Sequence, residues 1–219
     1  MKRLHPDADK DSYHFEKQLW EEGFRSVMGL DEVGRGCLAG PVVASGVIFP
    51  PFHRVSGIIA DSKKLNPSER IRIAEIIKRE AKCWTISWCD VDEIKTYNIL
   101  QASLRAMEKC VKKAEVSPDY LLIDGNKGLD SSLIPSKTVI KGDDRSVSIG
   151  AASILAKVFR DRLMSELHEQ YPEFGWNQNV GYPTSAHYEA LQRFGFTPFH
   201  RTTFNLRTNQ SYDRHRIEI

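Results

Sequence analysis

The stretch Met28-Gly29-Leu30-Asp31-Glu32-Val33-Gly34-Arg35-Gly36 sets two adjacent carboxylates between an apolar run and a Gly-Arg-Gly sequence. Neighbouring side chains of a strand point to opposite faces, so Asp31 and Glu32 could share a metal only if the strand ends or bulges there. The glycines permit such a bend, and Arg35 adds a fixed cation. The sequence predicts an acidic metal site beside a phosphate-binding loop, with a β-turn and a local ion pair as the structural alternative.

Hydrophobic periodicity around this stretch indicates alternating strands and helices. Predicted strands cover residues 25–31, 41–49, 84–89, 120–123 and 138–140. Predicted helices cover residues 12–23, 67–81, 96–114, 146–170 and 185–194, with Ser12 and Asn66 as the first two N-caps. This order predicts an α/β fold with a mixed central sheet.

The composition is that of an enzyme-sized globular protein: 219 residues and 41% hydrophobic residues are enough for one large core, or a core with a small helical appendage. No apolar run approaches the roughly 20 residues of a membrane span, and the first residues lack an apolar signal core. We therefore expect a cytoplasmic protein without a membrane partner. The cysteines show no C-x-x-C spacing, so we expect reduced thiols at Cys37, Cys83, Cys89 and Cys110.

The net charge of +2 is too small to indicate a nucleic-acid partner by itself. Basic residues do cluster near the acidic motifs, where they form either a solvated face or a binding surface. They are Lys63, Lys64, Lys127, Lys141, Arg145, Lys157, Arg160 and Arg162.

Three acidic motifs stand where a predicted strand ends or a predicted helix is about to begin: Asp31-Glu32, Asp124 and Lys141-Gly142-Asp143-Asp144. Carboxylates that converge at a sheet edge repel one another unless cations lie between them. Oxygen-only ligands favour Mg²⁺ or Mn²⁺ over zinc. Such sites typically hold two ions about 3.5–4 Å apart and catalyse in-line displacement at phosphorus. The motifs therefore predict phosphodiester hydrolysis.

These motifs resemble those of ribonuclease HII, the type 2 ribonuclease H of bacteria, from about Met28 to Phe204. The matching segments are residues 31–36, 61–65, 124–125, 141–143, 151–161 and 200–201. The resemblance implies a ribonuclease H-like fold, with a mixed central β-sheet flanked by helices and a C-terminal helical extension. We expect residues 1–24 to form an N-terminal extension with a short helix, residues 25–206 the catalytic domain, and residues 207–219 a polar tail.

The resemblance also implies an activity and the residues that perform it. The enzyme would hydrolyse the RNA strand of RNA–DNA hybrids and cut 5′ of ribonucleotides embedded in duplex DNA, leaving 3′-hydroxyl and 5′-phosphate ends. That activity serves ribonucleotide removal from DNA and RNA primer removal. Two ions of Mg²⁺ or Mn²⁺ are expected on the implied catalytic and metal-binding carboxylates Asp31, Glu32, Asp124 and Asp143.

Substrate recognition is implied for Gly34, Arg35 and Gly36, which sense the ribose 2′-hydroxyl, and for Tyr182, which stacks on the sugar at the junction to DNA. Glycines let the backbone approach a sugar, and the 2′-hydroxyl is what separates RNA from DNA. A deoxyribose would leave the polar protein groups desolvated around it without hydrogen-bond partners, at a cost of about 1–3 kcal/mol each.

Some assignments have alternatives. Asp144 could replace Asp143 as the fourth carboxylate, although the family pattern places the ligand directly after Lys-Gly. Asp161 lies one helical turn from Lys157, so a surface ion pair competes with a supporting role near a metal. Lys63 and Lys64 either solvate a loop or contact phosphate before a helix N-terminus.

The sequence departs from the family beside Tyr182. A lysine commonly stands at the position of Val180, and proline is unusual at the position of Pro183. The missing cation would weaken binding to the nucleic-acid backbone more than it would affect the cleavage reaction.

Two other functions fit parts of the pattern. A different metal-dependent enzyme of the same superfamily, such as an exonuclease or a strand-transfer enzyme, would lack the Gly-Arg-Gly loop. A non-catalytic nucleotide-binding module would hold a phosphate with residues 34–40, but Asp31 and Glu32 would repel that anion without a metal. We expect a monomer that binds nucleic acid, and the sequence gives no support for a sliding clamp as a further partner.

Overall fold

A computed structural model describes residues 12–55, 65–129, 133–204 and 206. The strands are β1 (Val27–Val33), β2 (Val42–Ile48), β3 (Cys83–Cys89), β4 (Tyr120–Asp124) and β5 (Ser136–Val139). The helices are α1 (His14–Glu21), α2 (Pro67–Glu80), α3 (Val91–Lys113), α4 (Val147–Gln170), α5 (Trp176–Asn179) and α6 (Ser185–Phe194). Short 3₁₀ helices cover Gly142–Asp144 and Pro172–Phe174.

The described strands form one five-stranded mixed sheet in the order β3-β2-β1-β4-β5. β1, β2 and β3 pair antiparallel, whereas β4 is parallel to β1 and β5 is parallel to β4. The α/β class and the mixed sheet predicted from the sequence are confirmed.

Helices cover both faces of the sheet because its central strands alternate apolar side chains between two cores. On one face Val27 and Leu122 join a core with Leu155 of α4. On the other face Leu30 joins a core with Met107 of α3. All the side chains of β2 are buried, as expected of a strand covered on both sides.

α4 packs directly against the main chain of β1 at Gly29. A Cβ atom at Gly29 would lie 2.2 Å from the main-chain carbon of Ser148, so only glycine allows the contact. Because α4 begins at Val147, this contact brings its first turn against the middle of β1. The residues just before α4 are thereby held beside the C-terminal half of β1.

The C-terminal helices pack around a third core that contains Leu38, Met164 and Trp176. Helix α1, in contrast, belongs to the main core through Phe15 and Trp20. Every cysteine is a buried free thiol, as predicted. Within the described ranges no helix combines the length and apolarity of a membrane span.

Several predicted boundaries are wrong for physical reasons. β1 does not end at Asp31, because Glu32 and Val33 still pair with β2. Helix α1 is preceded by Tyr13 instead of being capped by Ser12. Helix α3 begins at Val91, with a capping box from Asp90, and its regular amphipathic part starts only after a break at Asn98.

The remaining shifts are small. β2 and β3 differ from their predicted ranges by one residue at one or both ends, and β5 lies at Ser136–Val139 instead of residues 138–140. Asn66 caps α2 with a full capping box, and Ser146 caps α4. The 3₁₀ turn Pro172–Phe174 and α5 were missed because they are too short to show a period.

Candidate active site

One pocket of about 480 Å³ brings together the four predicted catalytic carboxylates and Tyr182. It lies at the carboxyl ends of β1 and β4, beside the start of α4. Its lining residues are Asp31, Glu32, Val33, Arg70, Asp124, Lys141, Asp143, Ser153, Ile154, Lys157 and Tyr182.

Asp31 and Glu32 lie inside β1 and still line the same pocket. The explanation is in the neighbouring strand: the parallel pairing of β1 with β4 stops at Leu30 and Ile123. Beyond that point β1 keeps β2 on one side only. The pocket therefore opens where β4 ends, and no bend in β1 is needed.

Asp124, the last residue of β4, is tied to the turn that carries Asp143. Its Oδ1 accepts a hydrogen bond of 2.6 Å from the main-chain N–H of Gly142. A Cβ at Gly142 would lie 2.6 Å from Cδ1 of Ile149 and 3.2 Å from Oδ1 of Asp124, so a larger residue there would force these side chains to shift. Lys141 adopts a left-handed conformation with φ of 54° just before it.

Asp143 is buried and lines the pocket, whereas Asp144 is exposed and does not. The close contact of α4 with Gly29 explains how Asp143 reaches the pocket that Asp31 lines, since the turn immediately precedes that helix. The assignment of Asp143 as the fourth carboxylate stays a prediction, but its position agrees with that assignment.

The electrostatics of the pocket are those of crowded anions. Burial raises the pKa of Asp31 well above its usual value, and the nearby carboxylates of Glu32 and Asp124 raise it further. Hydrogen bonds from the Ser153 hydroxyl and the Glu32 N–H oppose that rise. Burial also raises the pKa of Glu32, against the opposing effect of Arg35.

This donor set suits a hard divalent cation. Among the described residues, the acidic side of the pocket offers carboxylate oxygens as ligands, and burial together with their mutual repulsion raises the pKa of Asp31. Across the described residues, no three Asp, Glu, His or Cys side chains are already drawn together closely enough to enclose an ion. The carboxylates instead stand on the walls of the pocket, where a cation would relieve their repulsion.

Residues Gly34, Arg35 and Gly36 form a turn directly after β1, which we name the recognition turn. Gly34 has φ of 94°, a conformation that favours glycine. The guanidinium of Arg35 is half exposed and bonds Oε1 of Glu32 at 3.0 Å. The local ion pair considered from the sequence therefore exists, next to the pocket.

Tyr182 also lines the pocket, with 39% of its surface exposed. Its phenol is near the buried Cys37 thiol, which follows the recognition turn, and burial raises the pKa of Tyr182. The main chains also meet, since the Leu38 N–H bonds the Gly181 carbonyl at 2.8 Å. Tyr182 is thus adjacent to the recognition turn although the two are far apart in sequence.

The pocket also has a cationic side, formed by Arg70, Lys141 and Lys157. The carboxylate of Asp161 bonds Lys157 at 2.5 Å and lies 4.0 Å from Arg70. The ion pair expected for Asp161 is therefore present, and both of its cations line the pocket. Lys63 and Lys64 lie outside the described residues.

Four buried residues near the pocket had no individual role in the sequence interpretation, which only grouped Arg160 with the basic residues near the acidic motifs. His187 and His200 contact each other through their Nε2 atoms at 3.1 Å, and Nδ1 of His187 lies 3.0 Å from the Tyr182 carbonyl. Arg160 and Arg201 are also almost completely buried. The sequence shows Arg160 and His200-Arg201 as parts of family motifs, and no periodicity marks His187. Because Arg160 is buried, it belongs to neither the solvated face nor the exposed binding surface expected for the basic residues.

Solved structures share this fold. The ribonuclease H2 of Pyrococcus horikoshii superposes with a TM-score of 0.71 at 22% identity, over 83% of this chain and 94% of that chain. Bst-RNase HIII in complex with Mn²⁺ gives a TM-score of 0.64 at 22% identity, over 94% and 73% of the two chains. The chain therefore has a ribonuclease H-like fold, with a carboxylate-lined pocket at the ends of β1 and β4.

Sequence comparison narrows this class. The family model for ribonuclease HII matches residues 28–207. A ribonuclease HII from Salinibacter ruber is 49% identical over 195 residues, which cover 87% of this chain and 96% of that protein. The chain belongs to the ribonuclease HII family, as the resemblance indicated. It is an endoribonuclease that acts on the RNA of hybrids with DNA, in a family that depends on divalent metal.

Proposed function

We propose that this enzyme cuts duplex DNA on the 5′ side of single embedded ribonucleotides, in addition to the RNA strand of hybrids. One observation carries the proposal: the carboxylates and Tyr182 line one pocket, and the recognition turn lies directly beside it, bonded to Glu32 through Arg35. This arrangement can read a single ribose and present its phosphodiester to the carboxylates at the same time.

We assign metal binding to Asp31, Glu32, Asp124 and Asp143. Two divalent cations, Mg²⁺ or Mn²⁺, would supply charge neutralisation and the activation of water for in-line displacement at phosphorus. The manganese complex of Bst-RNase HIII supports Mn²⁺ as one of the ions that such a site accepts. The chain's own contribution is a buried, anion-crowded wall held in place by the Gly142 N–H and by the β1–β2 pairing.

The recognition turn would read the ribose. Gly36 is exposed, and no atom lies within 4 Å of the position a Cβ would occupy, so a sugar can approach its backbone. A 2′-hydroxyl is both donor and acceptor, and a deoxyribose would leave its partners in the protein unpaired. Arg35, half exposed beside Glu32, can bind the adjacent phosphate.

Tyr182 would stack on the sugar of the nucleotide at the junction to DNA. Its ring is partly exposed on the pocket wall, and its main chain is fixed to the segment that follows the recognition turn. The cations Arg70, Lys141 and Lys157 would hold flanking phosphates, with Asp161 in a supporting role that orients two of them.

In the proposed reaction, water attacks phosphorus and the bond to the 3′-oxygen of the upstream nucleotide breaks. The products carry 3′-hydroxyl and 5′-phosphate ends, and the 2′-hydroxyl serves recognition only. Such cleavage would begin ribonucleotide removal from DNA and would contribute to RNA primer removal. Because that DNA is cytoplasmic in bacteria, we propose that the enzyme acts there.

The test is a cleavage assay on three matched duplexes: all-DNA, DNA with one internal ribonucleotide, and an RNA–DNA hybrid. We expect cleavage of the second and third duplexes with Mg²⁺ or Mn²⁺, and none with EDTA. Cleavage of the hybrid alone would overturn the proposal for embedded ribonucleotides. Cleavage of all three would overturn ribose recognition.

A further inference from the structure

Two buried guanidinium groups lie behind the recognition turn and Tyr182. Arg160 of α4 is fully buried, and Arg201 is 1% exposed. Neither forms an ion pair with a carboxylate among the described residues. Burying a cation without a counter-charge is costly unless its donors are hydrogen-bonded. Such groups therefore need a structural explanation.

The guanidinium of Arg160 donates hydrogen bonds to main-chain carbonyls of two separate segments. Nε bonds the Pro41 carbonyl at 3.0 Å, Nη2 bonds the Ala39 carbonyl at 3.0 Å, and Nη1 bonds the Val180 carbonyl at 2.7 Å. The guanidinium also supports Gly34, where a Cβ would lie 2.3 Å from Nε. One side chain thus contacts the recognition turn, the segment after it and the loop before Tyr182.

Arg201 holds the recognition turn from its other end. Its Nη1 bonds the Arg35 carbonyl at 3.0 Å, and its Nε bonds the Gly40 carbonyl at 2.9 Å. Nη2 has no hydrogen-bond partner among the described residues, but the guanidinium lies 5.3 Å from the centroid of the Phe204 ring. The Arg201 N–H bonds the Leu38 carbonyl, so the main chain joins in the same contact.

The loop before Tyr182 is unfavourable on its own. Val180 has φ of 42° and ψ of 35°, a left-handed conformation that β-branched residues rarely adopt. Gly181 follows, and a Cβ there would lie 2.6 Å from the Ala39 carbonyl oxygen. The bond from Arg160 to the Val180 carbonyl therefore stabilises a strained loop against the recognition turn.

We propose that Arg160 and Arg201 are positioning residues that lock the recognition turn and Tyr182 into one rigid element, so that the two contact the substrate in a fixed relative position. The inference rests on the proposed function of those two groups. It requires the guanidinium fork, because a lysine ammonium cannot hold three carbonyls in one fixed geometry. A displacement of about 1 Å can cost about 100-fold in rate.

The test compares Arg160→Lys with Arg162→Lys, a matched change on the same helix at an exposed arginine that bonds Glu166. We expect Arg160→Lys to speed hydrogen exchange of the Leu38 amide at least about tenfold. Its kcat on a single embedded ribonucleotide should fall about 10- to 100-fold, with KM changed less than about threefold. Arg162→Lys should change neither quantity. A folded Arg160→Lys protein with wild-type exchange, or with wild-type kcat, would overturn the proposal.

The wild-type enzyme provides a second measurement that does not depend on folding of the variant. Three main-chain amides connect these segments. The N–H groups of Leu38, Gly40 and Arg201 donate to the carbonyls of Gly181, Phe199 and Leu38, respectively. If the recognition turn, the segment after it and the loop before Tyr182 form one rigid element, these amides exchange with the same opening free energy. Protection factors that differ more than about tenfold would contradict it. A wild-type enzyme that ignores embedded ribonucleotides would overturn the proposed function instead, because the exchange measurement does not involve cleavage.

Discussion

Asp31 and Asp124 stand next to each other across the parallel pair of β1 and β4, one step beyond the last paired residues, Leu30 and Ile123. The proximity of the two carboxylates contributes to the raised pKa of Asp31, after burial and Glu32. The protein therefore holds charges together that repel one another in the absence of a cation. Activity and stability should respond in opposite directions when one of these charges is removed.

Asp31→Asn should abolish cleavage while the fold is kept. Removing a group that hydrogen-bonds to a metal ligand typically lowers activity about 10- to 100-fold, and we expect the loss of activity here to be well beyond that. In metal-free buffer the variant should unfold at a higher temperature than the wild type, because a repelled buried charge is gone. Added Mn²⁺ should raise the wild-type Tm and leave that of the variant nearly unchanged.

Asp92→Asn, on the exposed start of α3, is the control and should alter neither property. An Asp31→Asn enzyme that retains substantial activity at saturating metal would remove Asp31 from the catalytic set.

Tyr182→Ala should reduce cleavage at a single embedded ribonucleotide about 10- to 100-fold, since an aromatic stacking surface is worth roughly 1–3 kcal/mol. Tyr182→Phe retains the ring and loses only the hydroxyl beside Cys37, so it should stay within about threefold of the wild type. Single-turnover rates and melting temperatures of both variants check this. A large drop in Tm with proportional losses on every substrate would show that the ring only supports the core.

Gly36→Ala should lower activity without lowering stability. Its Cβ would meet no atom within 4 Å, so the folded protein tolerates it, whereas a bound ribose would meet an added methyl group. Gly128→Ala is the control, because its Cβ also points into open space. Both changes should leave the free energy of unfolding equal to the wild-type value or raise it by up to about 1 kcal/mol. Equal activity of the two variants would exclude close contact of substrate with Gly36.

Stability should depend on pH through His200. Burial, followed by the nearby His187, lowers the pKa of His200 from 6.5 to about 3. Between these values the unfolded chain binds more protons than the folded protein, so stability is lost as pH falls below 6.5. From pH 6.5 to 5 this loss should be about 2 kcal/mol larger in the wild type than in His200→Asn.

Urea unfolding of both proteins at each pH gives the difference directly, and the titration of the carboxylates cancels in the comparison. Parallel pH profiles would show that His200 is not held neutral by the fold.

Short sequence signals were sufficient for much of the fold. Asn66-Pro67 predicts the start of α2 because a cap and a proline act within one turn, and Tyr120–Asp124 is recognisable as a buried strand that ends in a carboxylate. The position of Asp31 within β1 was not predictable in this way. It depends on where β4 stops, which is a property of pairing between distant segments.

The supporting residues of the site were hidden for the same reason. Arg160 follows Phe159 on α4 like any helical arginine, and its partners Ala39, Pro41 and Val180 are main-chain groups that no motif records. His187 likewise shows its contact with the Tyr182 carbonyl only after α6 has packed. Local periodicity predicts helices and strands, whereas the contacts that hold loops together arise from tertiary packing.

The most direct test of the account is the identity of the ends produced from a DNA duplex with one internal ribonucleotide. The two-metal assignment predicts a single cut on the 5′ side of the ribonucleotide, with a 3′-hydroxyl that a polymerase can extend and a 5′-phosphate on the ribonucleotide. Mass spectrometry of the two fragments measures both. A 2′,3′-cyclic phosphate, or a cut on the 3′ side of the ribonucleotide, would contradict the account, because the ribose hydroxyl would then be the nucleophile or the turn would not set the register.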